Sequence, residues 1–261
     1  MQEIFQKVRR KKKLGQHFLK DQNVIDKLVK HISPSIGDEI IEIGPGDGAM
    51  TKSIINKVSK IIMIEKDSDL INNLCDILAD YPGSRLINDD ILKYDLNQLQ
   101  NPMRFIGNLP YNISTEIIFK MCDCKNVIDM HFMLQKEVVD RLVSEPNSKV
   151  YGRLSVMAQA YFDIHKLFDI SENVFSPKPK VKSSFVRLEP KKNVFDSKHH
   201  ETIFYDIVKS AFETRRKMIR TSLSSYLKDD DFLALKIEDK LRAENLTVNN
   251  FLQISEYVQE I

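Results

Sequence analysis

Two short stretches of this chain carry residue types and spacings that could do chemistry. The first is Ile41-Glu-Ile-Gly-Pro-Gly-Asp-Gly48, directly after the apolar run that begins at Glu39. Glycine lets a backbone approach a ligand closely and adopt dihedrals that a side chain forbids. In an open α/β sheet, ligands bind beyond the carboxyl ends of the strands, which is where such a turn would lie. Glu65 ends the next apolar run, 21 positions after Gly44. A carboxylate there is placed to accept hydrogen bonds from both hydroxyls of a ribose. Two cofactors suit the pattern, a dinucleotide and S-adenosyl-L-methionine. The dinucleotide fingerprint wants its third glycine three positions after the second, but Ala49 stands at that place and the extra glycine is Gly48. The spacing favours the methyl donor, which has no pyrophosphate to cradle.

The second stretch is Gly107-Asn-Leu-Pro-Tyr111, again after a strand-like run. Read blandly, it is a turn. Read chemically, Asn108 supplies a side-chain carbonyl, and Pro110 stiffens the turn so that a backbone carbonyl beside it points outward. Tyr111 offers a face on which a flipped base can stack. Two carbonyl acceptors beside one stacking platform suit a planar exocyclic amine such as that of adenine.

The elements that must position these residues follow from periodicity. Asp21 can cap a helix whose Val24, Ile25, Leu28, Val29 and Ile32 share a face. Strands are expected at Glu39–Ile43, Ile61–Ile64, Arg85–Asn88, Arg104–Gly107 and Ile128–Leu134, with helices between them, one near Leu70–Leu78 and one at Lys136–Val143. Alternating strand and helix means a mostly parallel sheet flanked by helices, an α/β fold. Ser183–Leu188 reads as a further strand, and Pro190 to His200 reads as a linker. Beyond it the pattern is helical, with Ile203, Ile207, Val208, Ala211 and Phe212 on one face and further helices around Leu223, Leu241 and Phe251. The reading is an α/β domain over residues 1–190 and a small all-α domain over residues 191–261.

Composition sets the outer limits. At 261 residues, 42% hydrophobic and 29% charged, the chain describes an ordinary globular protein that needs no disulfide staples. Its three cysteines, Cys75, Cys122 and Cys124, include no CxxC pair, which argues for a reduced, cytoplasmic setting and against a zinc site. No HxxH pair is present, and no metal is expected. His131, His199 and His200 read as structural or exposed. No apolar run approaches the length of a membrane span, and no apolar signal core follows the basic N-terminus.

Other segments join the two stretches in a resemblance. They are Gly15-Gln-His-Phe-Leu19, Leu134-Gln-Lys-Glu-Val138, Tyr151-Gly-Arg-Leu-Ser155, Phe175-Ser-Pro-Lys-Pro-Lys-Val181 and Phe212-Glu-Thr-Arg-Arg-Lys-Met-Ile-Arg220. Taken in order with Glu42–Gly48 and Asn108-Leu-Pro-Tyr-Asn-Ile-Ser114, they resemble the ribosomal RNA adenine dimethyltransferases over essentially the whole chain. The erythromycin-resistance methyltransferases share the Asn-Leu/Ile-Pro-Tyr element as cousins. The resemblance implies a Rossmann-like class I methyltransferase sheet with S-adenosyl-L-methionine as cofactor. It implies that His17 and Leu19 touch the methionine end of the donor and that Gly44 lines its backbone wall. Glu65 would hold the donor's ribose, Asp90 (with Asp89 beside it) its adenine amine, and Asn108 the reacting edge. Many relatives carry Asn where this chain has His17, so the swap alters donor affinity only if the contact runs through the side chain.

The implied reaction dimethylates the six-position amine of two adjacent adenines in the 3′-terminal hairpin of 16S rRNA, within the 30S subunit or its precursor. The amine lone pair is delocalised into the ring. Hydrogen bonds to Asn108 and to a carbonyl at Leu109 or Pro110 favour the tetrahedral nitrogen. Tyr111 and Phe175 are expected to sandwich the base. Phosphates need cations, and the candidates are Arg10, Lys11 and Lys12, then Lys178 and Lys180, then Arg215, Arg216, Lys217 and Arg220. The 39 Lys and Arg nearly cancel the 37 Asp and Glu, for a net charge of +2. Clustering of the cations suits a protein that grips a folded RNA at a few places, and a monomer is expected. Three rival functions fit parts of the pattern. A dinucleotide oxidoreductase has no use for Asn108 to Tyr111. A DNA adenine methyltransferase wants a longer recognition domain. A non-catalytic assembly factor has no need of the donor-site residues.

Overall fold

The computed structural model describes residues 16–99, 101–214 and 216–261. Helix α1 (Gln22–Ile32) starts where Asp21 accepts a hydrogen bond from the Val24 amide at 3.1 Å, and it buries Ile25, Leu28, Val29 and Ile32. It stops at Ser33, whose left-handed backbone returns its N–H to the Val29 carbonyl. This satisfies orphan groups at both helix ends.

The strands are β1 (Phe18–Leu19), β2 (Glu39–Ile43), β3 (Lys60–Glu65), β4 (Arg85–Asn88), β5 (Met103–Asn108), β6 (Val127–Gln135), β7 (Phe162–Ile170), β8 (Phe175–Ser176) and β9 (Ser183–Pro190). Seven of them form one sheet in the order β4-β3-β2-β5-β6-β9-β7. Pairs β4–β3, β3–β2, β2–β5 and β5–β6 are parallel, while β9 runs antiparallel to β6. The buried runs Ile61–Ile64 and Met130–Leu134 match strands covered on both faces. The order turns from falling to rising between β2 and β5, a topological switch point where a ligand crevice opens. The α/β expectation holds, and β1 and β8 add a separate two-stranded antiparallel ribbon.

Helices α2 (Ala49–Ile54), α3 (Ile71–Leu78), α4 (Ser114–Cys122) and α5 (Lys136–Leu142) follow β2, β3, β5 and β6 in the chain. Next come α6 (Arg153–Tyr161), α7 (Lys198–Glu213), α8 (Ile219–Ser222), α9 (Asp229–Ala234) and α10 (Val248–Glu260). Two compact units result. One holds the described residues up to Val139 with His165–Glu189, and the other holds Asp140–Ile164 with Pro190–Ile261. The chain enters the second unit at Pro190, and residues 140–164 belong to that unit too. The reason is α6, which buries Leu154, Val156, Met157, Ala158 and Ala160 and packs on α7 and α10. The expected linker is also shorter, because Ser197 caps α7 through the His200 amide. No α-helix forms around Leu241: its carbonyl accepts the Ile219 amide, and the adjacent Arg242 bridges to Met218.

Within the first unit, Arg104 on β5 uses all of its donors. Nε and Nη2 reach both Asp129 oxygens at 2.9 Å, and Nη1 reaches Asp38 at 2.7 Å. The carbonyls of Ile32 and Ser33 take the remaining N–H groups at 2.6 and 3.3 Å. This ties the end of α1 to the amino ends of β2 and β6.

Candidate active site

The carboxyl ends of β2, β3 and β5 open onto one cavity, bounded also by the His17–Leu19 segment. The turn after β2 is shaped by glycine, with Gly44, Gly46 and Gly48 all at positive φ. On β5, a Cβ at Gly107 would stand 2.7 Å from the Ile43 carbonyl oxygen, so only glycine lets β5 lie this close to the turn. The cavity lining brings together His17, Leu19, Gly44, Glu65, Asp90, Asn108, Leu109, Pro110 and Tyr111.

Each polar group has a definite setting. Glu65 accepts the Asp67 amide at 2.7 Å and the Gly46 amide at 3.3 Å. Burial raises its carboxyl above the usual range, opposed by those amides. Asp90 accepts Lys66 Nζ at 2.7 Å and the Leu92 amide at 3.1 Å, and chiefly the Lys66 bond holds its carboxyl low. Tyr111 shares a 2.6 Å hydrogen bond with Ser183, and burial raises its phenol.

Asn108 Nδ2 donates to the His17 carbonyl at 2.7 Å. A carbonyl can only accept, so this contact sets the amide orientation and turns Oδ1 to other partners. Of the two backbone acceptors considered, the Pro110 carbonyl already takes the Ile113 amide at 3.1 Å. A carbonyl keeps a second lone pair, so both the Leu109 and the Pro110 carbonyls are candidate acceptors.

Other expected residues lie elsewhere. Phe175 is 4% exposed, belongs to the hydrophobic core and does not line the cavity. Arg10, Lys11, Lys12 and Arg215 lie outside the described residues. Lys178, Lys180, Arg216, Lys217 and Arg220 are exposed, Lys178 pairing with Glu172 and Arg220 with Asp239. His131 is buried, His199 is exposed and His200 is buried against Ser255. Among the described residues no group of three His, Cys, Asp or Glu could hold a metal ion, and no helix is long and apolar enough to cross a membrane.

Sequence reasoning gave no role to Glu42 or Lys66, which also line the cavity. Glu42 is 1% exposed; Oε2 accepts the Thr51 hydroxyl at 2.6 Å, while Oε1 has no hydrogen-bond partner. A lone acid inside the apolar run Ile40–Ile43 was the available signal. Burial foremost pushes its carboxyl up to about 7, with Glu65 and Asp47 adding to the rise.

A carboxyl raised from 4.5 in the unfolded chain favours the folded state fully below that value, and the contribution is lost as pH climbs to about 7. Urea unfolding of the ligand-free protein should therefore show stability falling across that window by up to roughly 3 kcal/mol on this account. Glu42→Gln should remove that part of the slope. A slope unchanged in the variant would contradict the assignment.

Comparison with known proteins places this geometry. Residues 7–260 match the family described as ribosomal RNA adenine dimethylase. A protein of Francisella tularensis subsp. novicida (strain U112), named ribosomal RNA small subunit methyltransferase A, is 42% identical over 259 residues, covering 97% of this chain and 98% of its own. One of the same name from Xanthomonas oryzae pv. oryzae (strain PXO99A) is 44% identical over 248 residues, 94% of this chain and 95% of its own. Among solved structures, a dimethyladenosine transferase from Plasmodium falciparum superposes with TM-score 0.83 at 22% identity, over 94% of this chain and 98% of that one. The 23S rRNA methyltransferase ErmE superposes with TM-score 0.73 at 20% identity, over 93% and 99%. These two establish the fold alone; the family match and the relatives above 40% identity establish more. The chain belongs to the ribosomal RNA adenine dimethylase family.

Proposed function

We propose that the cavity binds S-adenosyl-L-methionine and that the chain dimethylates two adjacent adenines in the 3′-terminal hairpin of 16S rRNA. The enzyme class, an rRNA adenine dimethyltransferase, follows from the family. One observation carries the mechanism: Asn108, fixed by the His17 carbonyl, stands in the same cavity as Glu65 and Asp90. The donor set suits this cofactor. Glu65 and Asp90 are acceptors for ribose hydroxyls and an adenine amine, and the unpartnered Oε1 of Glu42 suits a cationic group. Gly44 leaves the turn's backbone open, with nothing within 4 Å of where a Cβ would stand.

When bound, the donor supplies an electrophilic methyl group on a sulfonium. The residues of the chain do the rest. Asn108 Oδ1 and the carbonyl of Leu109 or Pro110 accept the two N–H groups of the target amine. That holds its nitrogen toward tetrahedral geometry and frees the lone pair from the ring. Tyr111 supplies the stacking face. As the methyl arrives the amine becomes acidic and one N–H proton passes to solvent, leaving a single N–H that either acceptor can hold for the second transfer.

Exposed Lys178, Lys180, Arg216, Lys217 and Arg220 are offered as phosphate contacts, together with Arg10, Lys11, Lys12 and Arg215. The small-subunit substrate is supported by the names of the relatives. The protein would act as a monomer in the cytoplasm, on 30S subunits or their precursors, with residues 1–190 mainly holding the donor and residues 191–261 mainly meeting rRNA. Calorimetric titration separates this from the dinucleotide alternative: S-adenosyl-L-methionine should bind and NADH should not. Binding of NADH alone would overturn the cofactor reading.

A further inference from the structure

We propose that Lys66 is a positioning residue that sets which purine the donor cavity takes: by clamping the Asp90 carboxylate it keeps that group an acceptor for an exocyclic amine and closes it to a carbonyl. Lys66 lines the cavity, and the methyl-transfer chemistry leaves it unused. Its role here rests on the donor reading given under Proposed function.

Two acids stand side by side just after β4, Asp89 and Asp90, and both line the cavity. They differ in their partners. Asp89 is exposed and takes the Asp90 amide at 2.7 Å, with no cation on it among the described residues. Asp90 is gripped at both oxygens: Oδ2 accepts Lys66 Nζ at 2.7 Å and Oδ1 accepts the Leu92 amide at 3.1 Å. Its side chain is 14% exposed, against 55% for that of Lys66. The backbone behind it is fixed as well, because the Asp90 carbonyl accepts the Lys93 and Tyr94 amides at 2.8 and 2.9 Å. A carboxylate bonded at both oxygens cannot turn without breaking one bond, so its remaining lone pairs keep one direction.

Lys66 follows Glu65 directly in the chain. The Glu65 carbonyl accepts the Asn88 side chain at 2.8 Å and the Asp89 amide at 3.1 Å. These bonds draw the segment after β4 against the end of β3. One dipeptide thus supplies both the ribose acceptor and the clamp on the adenine acceptor.

An ionised carboxylate only accepts hydrogen bonds, whereas a protonated one also donates. Adenine presents an amine at its six position and hypoxanthine presents a carbonyl. Held ionised by Lys66, Asp90 takes the amine and repels the carbonyl oxygen. Lys93 adds to the effect of Lys66, while the nearby acids Asp89 and Glu65 act the other way. Pairing also withholds the Lys66 ammonium from a purine carbonyl, which it would otherwise serve as a donor. A purely structural lysine would support every ligand of the cavity alike; a clamp on Asp90 distinguishes ligands by this one group.

The test is calorimetric titration of the full-length protein with two probes, S-adenosyl-L-homocysteine and S-inosyl-L-homocysteine, which differ in the base alone. Wild type should prefer the adenosyl compound by about a hundred-fold or more, as a site built around one hydrogen bond rejects the analogue that lacks it. Lys66→Met should cut that ratio by about five-fold, the upper scale for a partly exposed ion pair, by weakening the adenosyl compound. Lys66→Arg restores a cation and should hold the ratio within about two-fold of wild type. The clamp is overturned if Lys66→Met keeps the wild-type ratio, including the case in which both compounds weaken alike. Tighter adenosyl binding in Lys66→Met would also overturn it, by showing that the lysine competes with the base for Asp90. So would a Lys66→Arg variant as unselective as Lys66→Met. Wild-type protein that binds neither compound would instead sink the donor reading, and the clamp with it.

Discussion

Asn108→Ala should lower kcat for methyl transfer to unmodified 30S subunits by about a hundred-fold or more, the scale of losing one preorganised polar contact to a reacting group. Two things go at once. The Oδ1 acceptor for the amine disappears, and so does the Nδ2 donor that holds the His17 carbonyl at 2.7 Å. The variants Asn108→Ala and Asn108→Asp divide these effects. Asp keeps an acceptor but cannot donate to His17, so it should retain more kcat than Ala while showing the same loosening of the His17–Leu19 segment. The measurement is single-turnover transfer with both substrates saturating. If Asn108→Ala turns over at the wild-type rate, the amine is not held by this residue and the mechanism fails.

Arg104→Ala should destabilise the protein by about 3–5 kcal/mol, the usual cost of removing one partner of a buried ion pair. Asp129 is 5% exposed and would be left charged with neither guanidinium bond. The carbonyls of Ile32 and Ser33 at the end of α1 would lose their donors as well. Arg104→Lys should recover little, because one ammonium cannot reproduce the forked contacts to both Asp129 oxygens and to Asp38. Urea denaturation at neutral pH measures the difference. A loss under about 1 kcal/mol, typical of an exposed pair, would show the cluster to be ornamental. Donor affinity in the surviving folded fraction should be unchanged, since Arg104 lies at the opposite end of β5 from Asn108.

Much of the site was legible because it is local. Gly44 to Gly48 and Asn108 to Tyr111 are turns after strands, and glycine, proline and chain order alone place such turns at one end of a parallel sheet. Glu65 was legible for the same reason. What escaped depends on contacts between residues far apart in the chain. Phe175 looked like an available aromatic, but pairing with Leu19 takes it into the core. Nothing in the spacing of His17 and Tyr111 tells that their rings meet. Glu42 reads as one polar residue in a strand until burial leaves its Oε1 without a partner. The recruitment of residues 140–164 to the second unit was hidden likewise, since a mostly apolar helix such as α6 does not announce which neighbours cover it.

The proposed function puts methylation of small-subunit rRNA adenines in the cavity at the ends of β2, β3 and β5. The most direct measurement supplies radiolabelled S-adenosyl-L-methionine and wild-type protein to 30S particles lacking the modification, then maps the labelled bases. Label is expected on two adjacent adenines of the 3′-terminal 16S hairpin, reaching two methyl groups on each and lost in Asn108→Ala. Absence of incorporation, or label confined to other bases, would contradict it.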